Sequence, residues 1–339
     1  MVLLAEHLPP RYDVLAVLSD RAADETVERL SAVGAVSVRV AGLRRRPTPG
    51  SVLRLARTLR ELGPTVVHVN ATDQGDGLTG LAAARLARIP TVLNVRNAIP
   101  DRSRPREFAS AWALRRADLA LAPSDFVGSY LRRLGARTAV VMNGVPAPHL
   151  NQDARAELGL QEDAFVVGGI GRLTRQKGWD VLCEVAEKVR RERPDIVFVV
   201  IGDGQERSRL ESLSSCTNVR FVGYRRSASS LLSAFDILAV PSRYESFGRA
   251  AVEAMLAGVP VVASAVQALP EVLDRHAVLV PSEDAEAFAA AVLALDEDEP
   301  KRRAMAAAAR ERAESLFTVE RMARETADAY DLVIHHGDG

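Results

Sequence analysis

Residues 165–178 read Phe165-Val166-Val167-Gly168-Gly169-Ile170-Gly171-Arg172-Leu173-Thr174-Arg175-Gln176-Lys177-Gly178. A short β-rich apolar run passes into a glycine-rich basic loop, and a helical pattern opens at Trp179. That is one strand–loop–helix unit. The string Gly168-Gly169-Ile170-Gly171 imitates a dinucleotide fingerprint but lacks the GxGxxG spacing, which argues against hydride chemistry. Arg172 and Lys177 bring two positive charges to a strand end, where Arg supplies a fork of hydrogen bonds and Lys a point charge for a diphosphate. Charge alone also fits a solvated basic loop.

The same unit repeats outward from this stretch. Downstream strands are expected at Ile196–Ile201, Val219–Val222, Ile237–Val240, Pro260–Ala263 and Ala277–Val280, with helices between them. An Ala-rich helical region is expected from Asp284 to Leu316 and a final helix from Val319 to about Ile334. Upstream, strands are expected at Tyr12–Leu18, Ser37–Ala41, Thr65–Val69, Thr91–Val95, Leu119–Ala122 and Thr138–Met142. They alternate with helical spacing at Arg21–Val33, Ser51–Leu62, Gly77–Ala87, Phe108–Ala117 and Asp125–Leu134. Such alternation builds a parallel sheet covered on both faces, and its restart after the turn-rich segment Gly144–His149 makes two such domains. In open α/β sheets ligands bind beyond the carboxyl ends of the strands, so functional residues belong just after them.

Bulk properties narrow the function. The chain has 339 residues, 47% hydrophobic and 26% charged, with a formal net charge of zero. That balance argues against a general nucleic-acid binder, which needs a basic excess. Of 44 basic residues only Lys177, Lys188 and Lys301 are lysines, so a lysine inside a motif stands out. Cys183 and Cys216 lie far apart without CxxC spacing, which fits a reducing cytoplasm and neither a disulfide framework nor a metal site. No apolar run approaches the ~18 residues of a membrane span.

A second loop completes the candidate site: Pro241-Ser242-Arg243-Tyr244-Glu245-Ser246-Phe247-Gly248-Arg249-Ala250-Ala251-Val252-Glu253. A helix is expected from near Ser246 to Ala257, stopped by Gly258. Its free N–H groups near Ser246, Phe247, Gly248 and Arg249 form an anion site. Glu245 precedes that helix and Glu253 lies about two turns in, roughly 12 Å apart along a helix. One carboxylate then reaches a sugar and the other a ribose. Read without context, Glu253 is an ordinary surface helix residue.

Together these loops carry a resemblance. Gly171-Arg172-Leu173…Lys177-Gly178 and Glu245…Glu253 resemble the signature of the retaining GT-B glycosyltransferases, family 4 type (glycosyl transferases group 1). Gly202-Asp203-Gly204, Phe221-Val222-Gly223, Leu269-Pro270-Glu271, Ser124 and Asn143-Gly144-Val145 fit the same family. The resemblance covers essentially the whole chain and is strongest from Phe165 to Val280. It implies a GT-B fold, an α/β architecture of two Rossmann-like doubly wound domains facing a cleft. Residues 1–148 would be the acceptor-side domain, 149–316 the donor domain, and 317–339 a helix crossing back to the first domain. It implies a metal-independent enzyme without cofactor, moving a sugar from a nucleotide-diphosphate sugar, UDP-sugar favoured, to a hydroxyl acceptor; a cytoplasmic location is expected from the cysteine usage and the lack of a membrane span. Arg172, Lys177 and Glu245 would be catalytic. Gly171, Gly202, Val222, Ser246, Phe247, Gly248, Arg249 and Glu253 would hold the donor, and Arg96, Asn97 and Asn143 would face sugar or acceptor.

Two departures stand against the family pattern. Met1–Leu8 looks like the middle of the family's first helix, so the first strand and its Gly-rich loop are missing. Two neighbouring strands would then lose ladder partners, and the natural start is expected upstream of Met1. Arg96 stands where many relatives carry His and cannot act as a base near neutral pH. These departures keep a rival reading open, a non-catalytic GT-B partner or nucleotide-sugar-binding protein; a GT-B sugar-nucleotide epimerase fits less well. Asn70, Thr72, Asp73 and Gln74 follow a strand and are further acceptor candidates. Arg44-Arg45-Arg46 with Arg54, Arg57 and Arg60 suit an anionic membrane surface, although a solvated edge is the favoured reading. His68, inside a strand, reads as a core residue.

Overall fold

A computed structural model of the chain describes residues 2–19, 23–40, 47–73, 77–97, 111–112, 114–214 and 218–335. The chain divides into two compact units, Met1–Gly144 with Val319–Gly339, and Val145–Thr318.

The first unit holds β1 (Leu15–Ser19), β2 (Val36–Val40), β3 (Val67–Asp73), β4 (Thr91–Asn97), β5 (Leu119–Ala122) and β6 (Thr138–Val140). All pairings are parallel, in two separate sheets, β1-β2 and β3-β4-β5-β6. Among the described residues β1 pairs only with β2, and β3 only with β4. Helices α1 (Val2–His7), α2 (Asp24–Ala32), α3 (Pro49–Leu62), α4 (Leu78–Ala87) and α5 (Asp125–Arg133) flank the sheets. Helix α3 opens on a reciprocal cap between Thr48 and Ser51 with a proline in its first turn, which satisfies donors that would otherwise lack partners. Buried Ser124 caps α5 by accepting from Val127 N at 3.3 Å.

Both faces of β4 are buried, as a parallel sheet demands. Leu93 and Val95 pack with Leu131 on one face, while Val92 packs with Leu119, Leu121, Tyr330 and Val333 on the other.

In the second unit β7 (Val166–Ile170), β8 (Val197–Ile201), β9 (Val219–Phe221), β10 (Ile237–Val240), β11 (Val261–Ser264) and β12 (Val278–Val280) form one parallel sheet. Their order is β12-β11-β10-β7-β8-β9. The chain winds outward from β7 to one side and from β10 to the other. The winding reverses between these two strands, which is where doubly wound sheets bind ligands. Gly168 and Gly169 have a packing reason: a methyl group at either would lie 2.0 Å from the Phe235 ring or 2.5 Å from the Trp179 ring. Helices α6 (Ala154–Glu157), α7 (Trp179–Glu192), α8 (Arg207–Ser214), α9 (Arg249–Ala257), α10 (Leu269–Leu273), α11 (Ala285–Glu297) and α12 (Glu299–Leu316) complete the unit. Its core joins Val167, Phe198 and Val200 of the sheet to Trp179, Leu182, Val185 and Phe288. The last helix, α13 (Val319–His335), belongs to the first unit.

Several expected bounds are corrected. β1 starts at Leu15 and not Tyr12, and β3 runs from Val67 to Asp73 and not from Thr65 to Val69. The Ala-rich stretch is two helices. It breaks at Asp298, whose side chain accepts from Lys301 N at 2.9 Å, and Pro300 lacks the N–H that a continuous helix would use. Residues 98–110 and 113 of the expected helix Phe108–Ala117 and its preceding loop lie outside the described residues, as do 20–22, 41–46, 74–76 and 215–217, and with them Arg44-Arg45-Arg46, Gln74 and Cys216.

Candidate functional site

The loops after β7 and β10 meet because their strands are neighbours, with Val167 and Gly168 in register with Ile237 and Leu238. Backbone hydrogen bonds lace them to each other and to the next strand end. Gly171 N donates to Ile201 O at 3.0 Å, and Leu173 N to Asp203 O at 2.9 Å. Gly202 N donates to Gly223 O at 2.9 Å, and Val222 N to Val200 O at 3.0 Å. Arg243 N donates to Gln176 O at 2.8 Å, and the Gln176 side chain donates to Tyr244 O at 3.0 Å. Trp179 Nε1 holds the Arg172 carbonyl at 2.9 Å.

At Gly178 the first loop packs directly against the start of the second. This glycine has φ +68°, and a methyl group there would lie 2.0 Å from the Pro241 carbonyl oxygen. Only glycine combines a left-handed backbone with so near a neighbouring strand end.

That approach places Lys177 against Glu245. The Lys177 ammonium makes a direct ion pair with Glu245 Oε1. The Ser242 hydroxyl donates to the same oxygen at 3.1 Å. The carboxylate is buried, with a side chain 9% exposed, and the lysine side chain is 19% exposed. Both line a small cavity with Ile170, Trp179, Ser242 and Gly248. Arg172, on the same loop as Lys177, is exposed and does not line that cavity.

Helix α9 begins at Arg249, three residues later than expected, because Gly248 sits at φ +86° and cannot continue a right-handed helix. Ser246 and Phe247 are buried in the turn before it, and the Phe247 ring meets Phe317 edge-on at 5.5 Å. Glu253 is one turn inside α9, so the helical rise assumed from Glu245 covers only part of their separation. Arg249 Nε donates to Glu253 Oε1 at 2.9 Å, and the Glu253 side chain is 13% exposed. These two expected site residues are partners of each other.

In the first unit, Arg96 is exposed at the end of β4 and its guanidinium lies 3.5 Å from the Thr72 hydroxyl of β3. Asn70 accepts from Asn94 at 3.4 Å on the same two strands. Asn97 and Asn143 are half-buried. His68 reads as expected: its Nδ1 lies 2.7 Å from the Tyr330 hydroxyl, and burial pushes its pKa down to about 4. Among the described residues no group of three or more His, Cys, Asp or Glu side chains is placed to hold a metal ion, and no helix is long and apolar enough to cross a membrane.

Sequence reasoning missed Ser242, Asp180 and the side chain of Arg243 as parts of this site. Ser242 and Arg243 stood inside a quoted motif without a role. Asp180 looked like any polar first-turn residue, and only the neighbouring of β7 and β10 brings it to Arg243.

Comparison with known proteins fits this architecture. Residues 151–312 match the model of the family "Glycosyl transferases group 1", and residues 1–148 match "Glycosyltransferase Family 4". The chain is 30% identical over 337 residues to a D-inositol 3-phosphate glycosyltransferase of Nocardioides sp., covering 85% of this chain and 73% of that one. It is 28% identical over 243 residues to the lipopolysaccharide core biosynthesis mannosyltransferase LpsB of Rhizobium meliloti, covering 66% and 68%. It spans about half the length of two further D-inositol 3-phosphate glycosyltransferases, from Corynebacterium species, with 44% and 51% of those chains covered. Among solved structures it resembles Anabaena Alr3699/HepE in complex with UDP, with a TM-score of 0.83 at 24% identity over 98% of this chain and 95% of that one. It also resembles a sucrose-phosphate synthase from Thermosynechococcus elongatus, with a TM-score of 0.74 at 22% identity over 96% and 100%. Two Rossmann-like units of parallel sheet, the paired strand-end loops and these matches identify the chain as a GT-B protein belonging to the group 1 glycosyltransferases.

Proposed function

We propose that this chain transfers a sugar from a nucleotide-diphosphate sugar, with UDP-sugar favoured, to a hydroxyl acceptor, retaining the donor's anomeric configuration and using no metal. The observation that carries this reading is the Lys177–Glu245 pair at the reversal of the second sheet, just before the start of α9. A cation, a carboxylate and a helix N-terminus in one place suit a pyrophosphate with a sugar attached. Of the first-turn N–H groups of α9, those of Ala251 and Val252 donate to Gly248 O at 2.9 and 3.2 Å, which leaves those of Arg249 and Ala250 to meet an anion. The Anabaena neighbours bound to UDP and UDP-glucose favour the uridine donor.

In this reading Lys177 and Arg172 hold the diphosphate and stabilise the charge that grows on it as the sugar departs. Cations fixed in advance contribute strongly there, because the site need not reorganise as charge develops. Donor phosphate competes with Glu245 for the Lys177 ammonium, and Glu245 meets the sugar. Glu253, held by Arg249, meets the ribose. Backbone groups at Gly171, Gly202 and Val222 accommodate diphosphate and base, and Ser246, Phe247 and Gly248 shape the approach to α9. Arg96, Asn97 and Asn143 face sugar or acceptor, where Arg96 donates hydrogen bonds and takes no proton.

The test has two arms. UDP-, GDP- and ADP-sugars are screened by thermal shift, since a ligand that prefers the folded state raises its melting temperature. The donor that shifts it most is then used in a turnover assay with wild type, Lys177→Ala and Glu245→Ala, and the product anomer is read by NMR. The expectation is turnover in wild type and loss of at least ~10²-fold in each variant. Retained turnover in either variant refutes the assignment, and binding without turnover in wild type favours the non-catalytic reading.

A further inference from the structure

The two side chains that form the ion pair lie on loops 68 residues apart in sequence. Something must hold those loops in register. The backbone bonds at Gln176 and Tyr244 contribute, and a further link is made by side chains outside the cavity. Arg243, two residues before Glu245, reaches to Asp180, three residues beyond Lys177. Its Nη1 donates to Asp180 Oδ1 at 2.8 Å and its Nη2 to Asp180 Oδ2 at 3.2 Å, a guanidinium fork on a carboxylate. Nη1 also donates to Arg175 O at 2.9 Å, and Nε to Glu283 Oε1 at 2.8 Å. Arg209 adds a weaker contact to Asp180 Oδ2 at 3.4 Å. Both side chains are largely shielded, 18% exposed for Arg243 and 17% for Asp180. Neither lines the cavity that holds Lys177 and Glu245.

We infer that Arg243 and Asp180 form a positioning pair, which fixes the Lys177 ammonium against the Glu245 carboxylate from outside the donor site. The inference deepens the function proposed above and rests on it for its catalytic consequence. Three facts support it. The fork is rigid and planar, so it sets orientation as well as distance. It ties the first turn of α7 to the loop that ends at α9, the two segments that must stay aligned. Stability alone does not call for it, since well-packed apolar residues replace shielded ion pairs with little loss. The charge states agree with the geometry. Burial raises the Asp180 carboxyl, yet the bonds and charge of Arg243 more than offset this and leave it below its ordinary value. The Arg243 guanidinium is raised, chiefly by its bonds to Asp180.

The scarcity of lysine gives a direct reading of the pair, because Lys177, Lys188 and Lys301 are the three lysines of the chain and each gives its own acetylated peptide. Wild type, Arg243→Ala, Asp180→Ala and the double variant are treated briefly with acetic anhydride, and each lysine is quantified by peptide mass spectrometry. Exposed Lys301 serves as the internal reference. Turnover and melting temperature are measured on the same samples. Loosening the pair is expected to raise Lys177 acetylation about tenfold relative to Lys301 and to lower kcat on the order of 10²-fold, the scale of a 1 Å misplacement. The double variant should be no worse than either single one, and Arg243→Lys, which keeps the charge but loses the fork, should fall between. Where the alanine variants fail to fold, Arg243→Lys and Asp180→Asn carry the same two readouts. An unchanged Lys177 ratio in both single variants overturns the inference, and so does a raised ratio with turnover within twofold of wild type. A raised ratio in a protein that consumes no nucleotide-sugar upholds the positioning pair and removes the proposed function instead.

Discussion

Gly178→Ala tests whether the two loops are held as closely as the structure shows. The new methyl group would lie 2.0 Å from the Pro241 carbonyl oxygen. Close C···O contacts lie near 3.3 Å, so one loop must retreat by about 1.3 Å. The left-handed backbone at φ +68° adds a separate penalty of about 1 kcal/mol for any residue with a Cβ. A matched control separates the two effects. Gly258, at the end of α9, has nearly the same φ of +73°, and a methyl group there would meet nothing within 4 Å. Gly258→Ala should therefore cost only the backbone term, about 1 kcal/mol, or roughly 2–4 °C in a unit of this size. Gly178→Ala should add about 1–3 kcal/mol of overpacking, for a total fall of roughly 4–16 °C. The larger difference should be in turnover. A shift of that size parts Lys177 from Glu245, so kcat should fall on the order of 10²-fold in Gly178→Ala and stay within twofold of wild type in Gly258→Ala. Differential scanning calorimetry and a donor-consumption assay on the two variants suffice. Equal melting temperatures and equal turnover in both would refute the close approach.

Two further outcomes follow from the buried charges. Glu245→Gln strands the Lys177 ammonium in a shielded site and should cost ~3 kcal/mol, the low end for a broken buried pair because the lysine is partly exposed. Adding Lys177→Met should restore most of that stability in thermal melts without restoring turnover; no recovery in the double variant would count against the pair. His68 supplies a pH dependence. Its folded pKa of about 4 lies below the ordinary 6.5, so the folded protein resists a proton that the unfolded chain accepts. Stability from this group is complete above pH 6.5 and is lost as pH falls toward 4, by up to about 2–3 kcal/mol. Urea melts at pH 7 and 4.5 should show a smaller loss in His68→Gln than in wild type, and equal losses would sink the assignment.

Much of the donor unit could be read from residues alone. The apolar run into Ile170, the glycine–basic loop and the helical pattern from Trp179 each obey local rules, and local rules held there. They failed where one residue overrides its neighbours. Gly248 delays α9 to Arg249, although the preceding residues tolerate a helix. Pro300 splits an Ala-rich stretch whose propensity is uniformly helical. Contacts between distant segments carried still less signal. Nothing in the sequence pairs Asp180 with Arg243, because the pairing depends on the strand order β10-β7. The same holds for Arg249 with Glu253, where two residues each assigned to a ligand bond one another. The Lys177–Glu245 contact itself was legible only through the family resemblance, which placed both residues at one ligand.

Helix α13 has a consequence for how the molecule is made. Its Tyr330 and Val333 complete the core beside Val92 and Leu121, yet they are synthesised after the whole of Val145–Thr318. On the ribosome the later unit is a continuous stretch that can close first. The earlier one waits, with an apolar face bare, until α13 leaves the exit tunnel. Birth order and maturation order are thus reversed, and a stall before α13 emerges would strand the half that was translated first.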